Sequence, residues 1–417
     1  MCFRVAMISY HTSPLAALGK TRDAGGMNVY VRELARELSR GSIRVDIFTR
    51  RSDPTSPSVQ WINRQTRLIQ ISAGPAVPLP TTELFPYVEV FTQRVEQFAA
   101  HTGHAYELIH SHYWLSAVAG MTLAKRWDAP HATMFHTVER LKTQQYGAPV
   151  ATSPAALQRI EYERRIAQTV DRVIVSTEHE SEQLRRLYGL PTSRIRVIPC
   201  GVDLRAFTPG TPAERAAARS EVMPGDTPSL LFVGRLDPIK GLDLLLESVS
   251  LMRTRARLTV IGGDLVGDPE LERLRSVAHA LGIADRVTFA GALPQPELHK
   301  YYRAADALVV TSCYESFGLA AVEALASGTP VVASQVGGLP CVVRDGENGL
   351  LVHWRSAEFF AERLDQLLED QLLRERLAAH ARESVRRFDW HRIGDDVRDM
   401  YSSMTVDRRV SVACSCF

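Results

Sequence analysis

The chain has no apolar run near the ~20 residues that crossing a bilayer requires. Its opening, Cys2-Phe3-Arg4-Val5-Ala6-Met7-Ile8, is too short for the apolar core of a signal peptide and has no cleavage pattern. A cytoplasmic protein is expected. Surplus charge is missing too: the net charge is +2, whereas nucleic-acid binding calls for a concentrated basic face. The six cysteines, Cys2, Cys200, Cys313, Cys341, Cys414 and Cys416, lack zinc-like paired spacing. Cys200, Cys313 and Cys341 sit in or beside apolar strands and read as reduced core residues. The ending Cys414-Ser415-Cys416-Phe417 has the outline of a prenylation box, but its middle positions are not aliphatic and no polybasic run precedes it. No Gly-x-Gly-x-x-Gly follows Ser9 or Val233, which argues against a nucleotide-dependent oxidoreductase. No Asp-x-Asp pair stands at a strand end, and no His/Cys/carboxylate cluster has ligand spacing, so neither a metal nor another cofactor is expected.

What is present is an α/β pattern. At 417 residues, with 45% apolar and 23% charged residues, the chain is an ordinary globular composition long enough for two cores. Short β-branched runs alternate with helical patterns throughout, which predicts parallel sheets with crossover helices. In the first half the strand candidates are Val5–Ser9, Val45–Thr49, Leu68–Ile71, Leu108–His110, Ala132–His136, Val173–Ser176 and Arg196–Ile198. In the second they are Leu230–Val233, Leu258–Ile261, Val287–Ala290, Ala307–Thr311, Pro330–Ala333 and Leu350–Val352. Phe207–Pro228, dense in Pro, Gly, Ala and Arg, reads as a linker with a short helix of its own. The domain boundary is placed near residue 202, giving a first domain of 1–202 and a second of 203–387. A final helical segment, 388–417 with its tail, is expected to return to the first domain.

The chemistry concentrates in Glu315-Ser316-Phe317-Gly318-Leu319-Ala320-Ala321-Val322-Glu323. Glu315 falls on the loop at the carboxyl end of a buried strand, and Glu323 is expected about two turns into the following helix. Ligands of open α/β sheets bind outside the carboxyl ends of the strands, where a helix N-terminus attracts anions. Carboxylates flanking such a site point to hydroxyl groups, and an anionic ligand rich in hydroxyls is a sugar nucleotide. Gly234-Arg235-Leu236-Asp237-Pro238-Ile239-Lys240-Gly241 follows the first strand of the second domain. It supplies two cations suited to a diphosphate, Arg in a bidentate manner and Lys as a point charge.

Together these segments resemble the retaining glycosyltransferases of family 4. The likeness extends through Gly25-Gly26-Met27-Asn28-Val29-Tyr30, His110-Ser111-His112-Tyr113-Trp114, His136-Thr137 and Ile198-Pro199-Cys200-Gly201-Val202-Asp203. It implies the GT-B fold: two Rossmann-like domains facing across a cleft, with acceptor held by the first and nucleotide sugar by the second. It further implies that Arg235 and Lys240 bind the donor diphosphate and that Glu323 accepts bonds from the ribose. Glu315 would hold hydroxyls of the transferred sugar, with the backbone of Phe317, Gly318 and Leu319. Gly25, Gly26 and Gly234 would allow close approach to the donor, and His136 would contact its sugar. Within the family the first half is most similar to enzymes that glycosylate inositol phosphate in mycothiol synthesis, and sucrose-phosphate synthases share much of it. Asn28, Tyr113, Thr137, Lys142 and Arg159 match acceptor-contacting positions. Where both groups carry a phosphate-binding Lys, this chain reads Pro80-Thr81-Thr82-Glu83-Leu84, with Thr81 or Thr82 at that place. A hydroxyl clamps phosphate far less well than an ammonium. The implied partners are a nucleotide sugar, UDP-linked, and a small polyol or sugar; a homodimer is compatible with the chain. Two other readings are a sugar-nucleotide 2-epimerase, which shares the architecture, and an inactive sugar-nucleotide binder.

Overall fold

A computed structural model describes residues 3–16, 25–146 and 153–414. The chain divides into two compact units. One holds the residues up to Ala16, Gly26–Pro199 and the stretch from Trp390 onward, and the other holds Cys200–Asp389.

The first unit is built on an eight-stranded sheet in the order β3-β4-β2-β1-β5-β6-β7-β8. Its strands are β1 (Arg4–Ile8), β2 (Arg44–Arg50), β3 (Val59–Asn63), β4 (Thr66–Ile71), β5 (Leu108–His112), β6 (His131–Met134), β7 (Arg172–Val175) and β8 (Ile195–Val197). All neighbours pair in parallel except β3 and β4. β1 and β5 are buried along their whole length, as expected of parallel strands covered on both faces by crossover helices. Helix Gly26–Leu38 buries Tyr30, Leu34 and Leu38, one stripe at a spacing of four. Ser153 and Thr177 accept bonds from backbone N–H groups three residues on, capping helices Pro154–Thr169 and Glu178–Tyr188.

The second unit has six parallel strands in the order β11-β10-β9-β12-β13-β14. They are β9 (Ser229–Val233), β10 (Arg257–Ile261), β11 (Val287–Gly291), β12 (Ala307–Val310), β13 (Val331–Ser334) and β14 (Gly349–Val352). Counted within the unit this is 3-2-1-4-5-6, the doubly wound order whose switch point lies between its first and fourth strands. Leu230, Leu246, Val260, Val309, Phe360 and Leu364 anchor its core. Truncating any of these to Ala would cost about 2–5 kcal/mol.

The closing helix, Trp390–Cys414, is grouped with the first unit. Tyr401 donates to or accepts from His110 Nδ1 at 2.7 Å, and Arg398 donates to the Glu37 carbonyl at 2.9 Å. Among the described residues no helix is long and apolar enough to cross a membrane.

Three expectations are corrected. The stretch read as a linker is an integral layer of the second unit. Phe207 is buried against Tyr302, and Arg219 of helix Pro212–Val222 donates to Ala304 and Asp306 at 2.7 and 3.0 Å. Strand β6 stops at Met134, before His136, because His136 adopts φ +59° and leaves the extended region. Cys313 and Cys341 are only half-buried, whereas Cys200 is buried.

Candidate functional site

In the second unit the two segments singled out from sequence follow β9 and β12, the strands that border the switch point. After β9 the chain turns through Gly234–Asp237 into a 3-10 turn, Pro238–Lys240. There the Asp237 carboxylate caps the Ile239 N–H at 3.0 Å. Thr311, at the end of β12, donates to the Lys240 and Gly241 carbonyls at 3.1 and 2.8 Å, fastening this turn to the neighbouring strand end. Arg235 lies 3.6 Å from Asp237. Lys240 Nζ meets Glu315 Oε2 at 2.6 Å, with the two side chains 22% and 16% exposed. The pair is thus accessible to a ligand, and a charge-assisted contact of this length is among the stronger polar interactions.

The Glu315 loop is shaped by backbone. Gly318 takes φ +103° and forms the N-terminal boundary of helix Leu319–Ala326. Gly337, at φ +54°, lies so close that a Cβ there would sit 2.1 Å from the Glu315 carbonyl; the next residue, Gly338, donates to that carbonyl at 2.8 Å. The N–H groups of the first helical turn have no partner inside the helix and face outward at the positive end of its dipole. Glu323 is the fifth residue of this eight-residue helix, so it lies little more than one turn in, not two: the helix starts only after Gly318. It is buried, accepting from Gln295 Nε2 and from the Tyr302 hydroxyl, each at 2.8 Å. Burial, and then the adjacent Glu323 carboxylate, push the Tyr302 pKa well up, so this hydroxyl stays a donor.

In the first unit the corresponding strand ends carry a different chemistry. His110 and His112 alternate along β5 onto one face, with rings 4.2 Å apart. His112 Nδ1 lies 3.1 Å from His136 Nε2, and Tyr30 packs edge-on against both His112 and His136. Burial drives the pKa of His110 and His131 down to about 3, and that of His112 well below the usual value. His136, half-buried, is lowered by the same desolvation and by His110 and His11. These imidazoles are neutral donors and acceptors at ordinary pH. Two residues here hold strained backbone, His136 and Tyr113, the latter at φ +77° and ψ 154°. Such conformations cost of order 1–3 kcal/mol each and cluster at ligand sites.

Tyr113, Thr137 and Arg159, far apart in sequence, converge. Arg159 donates to the Tyr113 hydroxyl at 3.0 Å and to the Thr137 carbonyl and hydroxyl at 2.6 and 3.1 Å. Glu163 and Glu139 complete its shell at 2.7 and 3.0 Å. Asn28 is fully buried, its amide donating to Thr12 and to the Ser13 carbonyl at 2.8 and 2.6 Å, so it braces the loop after β1. Lys142 lies half-buried on helix Glu139–Tyr146. Gly26 opens helix Gly26–Leu38, and Gly25 precedes it. Glu139, Glu163, Gln295 and Tyr302 were not singled out from sequence, and His112 only as a member of the segment His110–Trp114. Only Glu163 left a local signal, its i,i+4 spacing from Arg159.

Two open, mainly parallel sheets of this kind, each with polar groups gathered at its strand ends, are the GT-B fold of nucleotide-sugar enzymes. The comparisons with known proteins agree. Residues 24–206 match the family model described as Glycosyltransferase Family 4, and residues 214–384 the one described as Glycosyl transferases group 1. A D-inositol 3-phosphate glycosyltransferase of Xylanimonas cellulosilytica is 41% identical, over 97% of this chain and 98% of that protein. One of Acidothermus cellulolyticus is 39% identical, over 98% and 92%. Among solved structures, sucrose-phosphate synthase from Thermosynechococcus elongatus superposes with a TM-score of 0.88 at 34% identity, covering 97% of this chain and all of that one. Anabaena HepE, solved with UDP and glucose, shares the fold at TM-score 0.74 and 19% identity, over 96% of this chain and 100% of its own. The chain belongs to glycosyltransferase family 4.

Proposed function

We propose that this glycosyltransferase moves a hexosyl or N-acetylhexosaminyl unit from a UDP-linked sugar to a small hydroxylated acceptor of the inositol-phosphate or sugar(-phosphate) type. It does so in the cytoplasm, with retention of anomeric configuration and without a metal. The observation that carries this reading is the accessible Lys240–Glu315 pair at the switch point of the second sheet. Two opposite charges, one for a diphosphate and one for sugar hydroxyls, stand side by side where a nucleotide sugar needs both.

In this account the incoming diphosphate competes with Glu315 for Lys240, and the freed carboxylate accepts from hydroxyls of the transferred sugar. Arg235 and Gly234 line the diphosphate, with Gly25 and Gly26 admitting it closely. The amides of Phe317, Gly318 and Leu319 add the helix's positive end. Glu323, set by Gln295 and Tyr302, receives the ribose hydroxyls. Breaking the anomeric carbon–oxygen bond builds positive charge on the sugar and negative charge on the diphosphate. Fixed cations aimed at that leaving group lower the barrier electrostatically. The acceptor oxygen attacks from the face the diphosphate leaves, and its proton passes to a leaving phosphate oxygen; net configuration is retained. His136, neutral, contributes a hydrogen bond to the donor sugar. Asn28, Tyr113, Thr137, Lys142 and Arg159 form the acceptor side. The names of the curated relatives favour an inositol-based acceptor; the 34% identical sucrose-phosphate synthase supports a second reading in which the acceptor is a sugar phosphate.

The test is slow hydrolysis of a panel of UDP-, ADP- and GDP-sugars by the purified chain, which separates donor choice from acceptor. Turnover of a UDP-sugar, undiminished by EDTA, is expected. Absence of hydrolysis across the panel would remove the donor assignment, and a strict metal requirement would overturn the role given to the two cations.

A further inference from the structure

We infer that His112 is a positioning residue for the transfer: its Nδ1–H holds the His136 ring in the tautomer and orientation that present an N–H to the donor sugar. The inference rests on the reading above, in which His136 meets that sugar, and adds the group that aims it. β5 and β6 run side by side to their ends, where His112 pairs with Met134 and the Tyr113 N–H donates to the Met134 carbonyl at 2.9 Å. Beyond that rung β6 stops, and the left-handed backbone at His136 brings its ring back to His112, Nε2 to Nδ1 at 3.1 Å. A non-glycine residue keeps such a conformation only where its surroundings over-determine it. Tyr30 packs edge-on against His112 and His136, with ring centres 5.7 and 5.3 Å away, and clamps the pair.

The enclosed polar atoms decide which nitrogen carries the proton. Both imidazoles are neutral, because burial penalises their charged forms, so each has one N–H and one lone pair. His112 is fully buried, and its Nε2 is sealed from solvent with no hydrogen-bond partner among the described residues. A proton there would be an orphaned buried N–H, which interiors tolerate less than an under-used acceptor. The proton therefore sits on Nδ1 and is donated to His136 Nε2, and the bond made by that nitrogen leaves His136 protonated on Nδ1. His136 is half-buried, and its Nδ1 is neither hydrogen-bonded among the described residues nor sealed from solvent. That N–H is open to a ligand. The layer behind is held as well: His110, with its ring centre 4.2 Å from that of His112, is tied to the Tyr401 hydroxyl at 2.7 Å. His136 thus donates from a preorganised position.

The experiment uses three variants of His112 and the sugar nucleotide that the chain hydrolyses. An Asn side chain places its amide nitrogen near the position of histidine Nδ1, and a Gln near that of Nε2. His112→Leu and His112→Gln are expected to lower kcat for donor hydrolysis about tenfold, the worth of one hydrogen bond in the transition state, whereas His112→Asn recovers most of the rate. The Kd for UDP alone is expected to be unchanged in all three, because its proposed cationic contacts, Arg235 and Lys240, lie on the second unit. Independently of activity, nitrogen NMR of the chain with isotope-labelled histidine, assigned with His136→Gln, is expected to show His136 protonated at Nδ1 and bare at Nε2. The opposite tautomer, a normal rate in His112→Leu while His136→Ala is impaired, or equal losses in the Asn and Leu variants overturns the inference. A His136→Ala variant as active as the unmodified chain instead removes the donor-sugar contact itself, so failure of the underlying reading is distinguishable from failure at His112.

Discussion

The two units share one strand order around their switch points and differ in what they place there. In the second, Arg235, Lys240 and Glu315 stand at the ends of β9 and β12 as partly exposed charges. In the first, the ends of β5 and β6 carry neutral imidazoles, and Arg159 on helix Pro154–Thr169 is already matched by two carboxylates. Topology fixes where a ligand sits in such sheets; the side chains decide which of its groups are met by exposed charge and which by hydrogen-bonding groups already held in place.

The comparison can be broken most forcefully at its charged side. Lys240→Ala is expected to cut kcat by about 10²–10³-fold, the usual loss for a removed transition-state donor, read in steady-state transfer or donor hydrolysis; near-normal rates would erase the distinction between the units. On the other side, Glu180 is a buried carboxyl on helix Glu178–Tyr188, just after β7, with one oxygen lacking a hydrogen-bond partner, and desolvation raises its pKa to about 7. A carboxyl whose folded pKa exceeds its unfolded value stabilises the fold below about pH 4.5 and loses that contribution as pH rises to about 7. Glu180→Gln is therefore expected to remove up to about 3 kcal/mol of pH-dependent destabilisation, measured by denaturant unfolding at pH 5 and 8; an unaltered pH slope would refute it. The depressed histidines act oppositely, so the first unit is expected to lose stability as pH falls from 6.5 toward 3.

Two smaller effects sharpen the contrast. Glu323→Gln is expected to raise donor KM about tenfold with kcat little altered, because a neutral amide accepts weakly from ribose hydroxyls; an unchanged KM would remove the ribose assignment. Tyr401→Phe deletes the bond to His110 and is expected to cost about 1 kcal/mol of stability, without touching donor affinity.

Most of the sheet was legible in the sequence, because parallel strands buried on both faces leave runs such as Leu230–Val233 and Leu258–Ile261 that no helix period explains. β3 was not legible. It is a solvent-facing edge strand, with Trp61 61% exposed, and nothing in Val59–Asn63 alternates toward a core. The Phe207–Pro228 stretch misled for the opposite reason: its Pro-rich composition hid Phe207 and Arg219, whose partners Tyr302 and Ala304 lie far along the chain. At the sites, Glu315 and Lys240 could be named from their positions after strands, whereas their mutual contact could not. The convergence of Tyr113, Thr137 and Arg159 depended on resemblance; of the partners that hold Arg159, Glu163 sits four residues on along the same helix, whereas Glu139 became visible only once helices Glu139–Tyr146 and Pro154–Thr169 were packed together.

The most direct test of the whole account is a crystal structure with UDP bound. The prediction is that Lys240 Nζ leaves Glu315 and, with Arg235, lies within hydrogen-bond distance of the diphosphate oxygens. A diphosphate lodged elsewhere, with the Lys240–Glu315 pair still closed, would contradict it.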